Sequence, residues 1–92
     1  MNSYFEVNVL RKHNVPLKGR IPTRLVVKAS TVKRAATLVL SYYRDTKNTS
    51  CVKLIRVFKL HQPRGEGILT LTKLVTMRTY KIVAGRLQEL AL

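Results

Sequence analysis

Acidic residues are almost absent from this chain. Glu6, Asp45, Glu66 and Glu89 stand against 18 lysines and arginines in 92 residues, a formal net charge of +14. Paired carboxylates for general acid–base work are therefore missing, and no glycine-rich phosphate cradle appears, so the chain is expected not to be an enzyme and to need no cofactor. There is one cysteine, Cys51, which excludes an internal disulfide and a cystine-stapled scaffold; a reducing cytoplasm is the expected location. Long apolar runs are missing too, so no membrane insertion is expected, and the first ten residues lack the basic start and apolar core of a signal peptide. Asn48-Thr49-Ser50 matches the glycosylation triplet, a short and common pattern.

What is present is an ordinary apolar fraction, 46%, enough to build a core and unlike a disordered cationic tail. The length fits one domain, 1–92, with no room for two cores. A normal interior under such a lopsided surface implies a polyanionic partner, because like charges repel in the compact state unless something neutralises them.

Laid against itself at half its length, the chain shows a weak correspondence. Thr23-Arg24-Leu25-Val26 falls on Thr72-Lys73-Leu74-Val75, His13 on His61, Ser30 on Thr79, and Lys33, Ala35 and Ala36 on Lys81, Val83 and Ala84. The implied half-units are 1–47 and 48–92. In the first, residues 4–10 alternate with Phe5, Val7 and Val9 inward, a strand; 11–20 is a basic loop with Pro16 and Gly19; residues 23–29 alternate with Leu25, Val27 and Ala29 inward, a second strand. Ser30 is the expected cap of a helix over 31–44, whose apolar stripe is Val32, Ala35, Ala36, Val39, Leu40 and Tyr43. Residues 51–60 read as a third strand with a bulge or two-sided burial near Ile55 and Arg56, 61–67 as a second loop, and a fourth strand begins near Ile68. Thr79 would then cap a second helix bearing Tyr80, Val83, Ala84, Leu87 and Ala91, with a fifth strand over 77–84 as the alternative. The expected fold is α+β: a four-stranded, mainly antiparallel sheet with two helices on one face, as a ββα-ββα duplication.

The function expected from this pattern is binding of RNA or DNA through the phosphate backbone, by basic loops and the open sheet face. The candidate residues are Arg11, Lys12, Lys18, Arg20 and Arg64 on the loops, and Arg24 and Lys28, which alternate with the inward residues of the second strand. Aromatic platforms look scarce: Tyr4 is out of phase with the core residues, whereas Phe5, Phe58, Tyr43 and Tyr80 fit core positions. No RNP element, zinc-finger spacing or KH-type GxxG is present, so duplex or structured RNA is expected over single strands. His13 and His61, even if neighbouring hairpin loops brought them together, fall short of the three or four ligands a zinc site needs, so no metal is expected. Cys51 reads as a small apolar filler. The competing reading is a protein-interaction or inhibitor module that docks on an acidic partner protein. A free sheet edge would permit dimerisation, and the oligomeric state is open.

Overall fold

A computed structural model describes residues 2–61 and 72–90, with the backbone alone for 61 and 72–77. The chain runs β1 (Ser3–Arg11), β2 (Arg24–Ala29), α1 (Val32–Asp45), a 3-10 turn (Thr49–Cys51), β3 (Val52–His61), β4 (Thr72–Val83) and β5 (Arg86–Glu89). The strands form one antiparallel sheet in the order β2-β1-β3-β4-β5. The architecture is α+β, with α1 packed across β2, β1 and β3 on one face.

The first half follows its residue pattern closely. Phe5, Val7 and Val9 are buried beneath the helix, and Leu25 and Val27, half-buried, pack beside them. Helix α1 seats Ala35, Ala36, Val39, Leu40 and Tyr43 on that surface, each large aliphatic side chain contributing about 1.5–3 kcal/mol by leaving water. The cap is Thr31, one residue past the expected Ser30: its Oγ1 accepts the Arg34 backbone N–H at 3.0 Å. The helix stops at a Schellman turn, in which Lys47 takes φ 60 and the amides of Lys47 and Asn48 donate back to Arg44 and Tyr43.

Asn48, 1% exposed, then ties the β1–β2 loop to the helix end. Its Oδ1 accepts the Lys18 backbone N–H at 2.6 Å and its Nδ2 donates to the Lys18 carbonyl at 3.0 Å. An amide so enclosed leaves no room for carbohydrate on the folded chain. Tyr43 adds a second tether, its hydroxyl donating to the Pro22 carbonyl at 2.7 Å. The loop's Val15, Leu17 and Ile21 pack against the core.

The second half departs from expectation. Among the described residues, two helices and four strands give way to one helix and five strands, and the expected helix from Thr79 is instead the end of β4, a turn and β5. Ala84 and Gly85 have φ 51 and 77, the two left-handed residues of a type I′ hairpin turn. Tyr80 and Ile82 alternate toward the core, while Val83 is 45% exposed; the period is two, not 3.6. Thr79 is no cap: it is buried within β4, and its carbonyl accepts the Leu90 amide. The fifth-strand alternative over 77–84 was nearer the outcome, although 77–83 completes β4. A ββα repeat is unsupported, since the second half carries no counterpart of α1 among the described residues. His13 lies past the Arg11 end of β1, and His61 ends β3 at the opposite end of the sheet, because Arg11 pairs with Val52 and Phe5 with Lys59. The irregularities sit at Leu10/Arg11 and Phe58/Leu60, not at Ile55 and Arg56. The second loop and the start of the fourth strand near Ile68 lie outside the described residues.

Candidate nucleic-acid interface

Helix α1 covers one face of the sheet; among the described residues no element packs on the other, called here the open face, and cross-strand partners share a face. The register therefore orders the open face in rows. Lys28 stands beside Tyr4; Val26 beside Glu6 and Phe58; Arg24 beside Asn8, Arg56 and Thr79; Lys81 beside Gln88; Val83 beside Arg86. Cations thus occur on β2, β3, β4 and β5. Arg24, Lys28, Arg56, Lys81 and Arg86 are all exposed.

Among the described residues one carboxylate shares that face. Glu6 is 5% exposed; it accepts from Arg24 Nε at 3.0 Å and from Asn8 Nδ2 at 3.2 Å. Arg24 is itself well exposed, so this pair is screened, yet it consumes the only negative charge the face offers among those residues. Glu89 lies on the helix side, opposite Tyr80, and bonds Arg78 at 3.3 Å; Asp45 ends the helix.

The face is amphipathic as well as basic. Tyr4 and Phe58 are half-buried on the adjacent central strands, and Val26 is 56% exposed between cations. Lys28 Nζ sits 5.8 Å from the centroid of the Tyr4 ring, within cation–π range. Phe58 is no core residue: Val57, its neighbour, points at the core, so Phe58 points the other way.

The expected site residues divide into groups. Arg24 and Lys28 take the open face, as their alternation implied. Lys12, Lys18 and Arg20 are exposed on the 12–23 loop, which folds toward the end of α1. Lys12 and Lys53 flank a shallow trough of about 370 Å3 with His13, Asn14 and Val15. Arg11 closes β1 near Tyr43, whose hydroxyl is pushed up to about 12 by burial and by the neighbouring Cys51 and Tyr42, with Arg11 pulling the other way. Arg64 lies outside the described residues. Sequence reasoning missed Arg56, Lys81 and Arg86. The first two were legible as the polar positions between Ile55 and Val57 and between Tyr80 and Ile82, once those strands are recognised.

On the helix side, Lys33, Thr37, Leu40 and Arg44 form one stripe of α1 facing the β4–β5 turn across a trough of about 290 Å3. Arg44 crosses it to donate to the Gly85 carbonyl at 3.3 Å. Cys51 is buried, its Sγ–H donating to the Asn48 carbonyl at 2.8 Å, a packed thiol. No helix among the described residues is long and apolar enough to cross a membrane.

No protein-family model, curated protein or solved structure matches the chain.

Proposed function

We propose that this protein binds nucleic acid, holding the phosphate backbone with the open face of its sheet, and that the basic β1–β2 loop, which folds toward the end of α1, supplies further cations. The observation that carries the reading is the open face itself: Arg24, Lys28, Arg56 and Lys81 spread over it, and its one described carboxylate, Glu6, is already paired. Such a surface repels itself and draws a polyanion, and each phosphate it neutralises releases condensed counterions. Adjacent strands lie about 4.8 Å apart, so Arg24 and Arg56, two strands apart, stand about 10 Å from each other, and the array extends a backbone-length footprint across the sheet.

The test is a salt series of binding to duplex RNA, single-stranded RNA and duplex DNA, for the native chain and for two variants. Arg24 is a poor choice for charge reversal, because a glutamate there would face Glu6 and destabilise the sheet. The combination Lys28→Glu, Arg56→Glu and Lys81→Glu leaves that pair intact. It is expected to weaken binding to every ligand and to flatten the log–log salt slope by about 2–3, near 0.9 for each duplex phosphate that is no longer neutralised. Lys18→Glu with Arg20→Glu measures the loop's share. A folded triple variant with native affinity and slope would overturn the reading.

A further inference from the structure

Strand β2 is an edge of the sheet, and its pairing with β1 fixes which of its backbone groups are spare. The Val9 amide donates to the Thr23 carbonyl at 2.7 Å. From that pair the register runs on without a shift, Leu25 opposite Val7 and Val27 opposite Phe5. In an antiparallel ladder the N–H and C=O of one residue point to the same side, and the side alternates along the strand. Thr23, Leu25, Val27 and Ala29 therefore bond β1, while the backbone groups of Arg24, Val26 and Lys28 point away from it. Among the described residues no strand or loop bonds them there.

The side chains along this edge differ by face. Arg24, Val26 and Lys28 are exposed on the open face; Arg24 spends its Nε on Glu6 and its side chain is still 71% exposed. On the helix face Leu25 and Val27 are half-buried against the core. Leu38 and Tyr42 of α1, one turn apart on the flank turned away from the β4–β5 trough, extend that apolar strip, with Tyr42 37% exposed.

We propose that β2 takes up an extended acidic segment of a partner protein as an added antiparallel strand. Its glutamates or aspartates lie opposite Arg24 and Lys28, its apolar residues opposite Leu25 and Val27. Arg24, Val26 and Lys28 each exchange two backbone bonds with the residue facing them, which gives affinity, and the alternation of charge and apolar side chains gives specificity. A second copy of the chain fits poorly. Antiparallel self-pairing centred on Val26 sets Arg24 against the copy's Lys28 on both flanks, like charges directly opposed. The net charge of +14 likewise repels a copy and draws an acidic partner. Strand addition and phosphate binding stand or fail separately, because the first turns on the β2 backbone and the second on side chains spread over the whole open face.

The probe is a short capped peptide alternating glutamate and valine, compared with its isomer carrying the same residues in blocks and with the lysine–valine alternate, by fluorescence anisotropy on the full chain. Native protein is expected to bind the alternating acidic peptide, the block isomer more weakly and the lysine peptide not at all. Val26→Pro removes an outward amide and leaves the β1 ladder whole; folded by circular dichroism, it is expected to bind the acidic peptide about 10-fold more weakly. Lys28→Glu turns one attraction into a repulsion and is expected to weaken the acidic peptide by about 2- to 30-fold while admitting the lysine peptide. Equal binding of the two acidic isomers, or native affinity in either variant, overturns strand addition. A native chain that sediments as a dimer beside a monomeric Val26→Pro gives the edge to a second copy and overturns the acidic partner.

Discussion

Replacing Asn48 by alanine tests how the basic loop is held. The side chain is 1% exposed, and every polar atom of its amide is engaged: Oδ1 with the Lys18 N–H at 2.6 Å, Nδ2 with the Lys18 carbonyl at 3.0 Å, and with the Thr46 carbonyl and hydroxyl at 3.1 Å. Counting the two Thr46 contacts as one shared bond leaves three bonds, each worth about 1 kcal/mol net. Lys18 is exposed, so water recovers part of that loss, while the void left by a buried amide adds to it. The expected destabilisation is about 2–4 kcal/mol, a large share of the roughly 5–15 kcal/mol that holds a domain together. Urea unfolding followed by circular dichroism would measure it, with an unchanged m-value as the sign that only stability moved. Hydrogen exchange gives the local readout: the Lys18 amide, protected by Oδ1 in the native chain, should exchange faster in the variant relative to core amides. A loss below about 0.5 kcal/mol, with Lys18 still protected, would refute the clamp.

Two further outcomes follow from backbone and burial. Ala84→Asn places the preferred residue before Gly85 in the type I′ turn, where Ala84 now holds φ 51; a gain of about 0.5–1 kcal/mol in the same unfolding assay is expected. Tyr43 has its hydroxyl raised to about 12 from 10.0, chiefly by burial. A group whose folded value lies above its unfolded value keeps its contribution below the unfolded one, so stability is unaffected below pH 10 and falls as pH rises from there toward 12. Tyr43→Phe removes that dependence at the cost of the Pro22 bond, so the difference between native and variant unfolding midpoints should shrink across that range; a constant difference would contradict it.

The first half of the fold was legible because its alternation and its helical stripe each point one way. Strand and helix ends agreed to within about a residue, and the open-face position of Arg24 and Lys28 came with the strand. In the second half the same residues satisfied two periods. Tyr80, Val83, Ala84 and Leu87 sit at helical steps, yet Tyr80 and Ile82 also alternate, and Ala84-Gly85 lacks the Asn-Gly signature that marks a two-residue hairpin. The apparent repeat tipped the choice to a helix. At the interface, Phe58 was assigned to the core by residue type. Arg56, flanked by Ile55 and Val57, carries the contrary signal: with the arginine outward, Phe58 two residues later must be outward too.

Every neighbouring pair in the strand order β2-β1-β3-β4-β5 is consecutive along the chain except β1 with β3, which are joined through β2 and α1. The sheet is two meanders zipped along one seam, Phe5 to Arg11 against Lys59 to Val52. Arg24 belongs to one meander and Arg56 to the other, as do Tyr4 and Phe58, so the proposed face is assembled only when the seam closes. A nucleic-acid strand lying across it would act as a staple between the halves, raising the unfolding midpoint with ligand concentration by mass action. The connector between α1 and β3 marks where the chain would be cut to obtain two fragments whose reassociation a polyanion should promote.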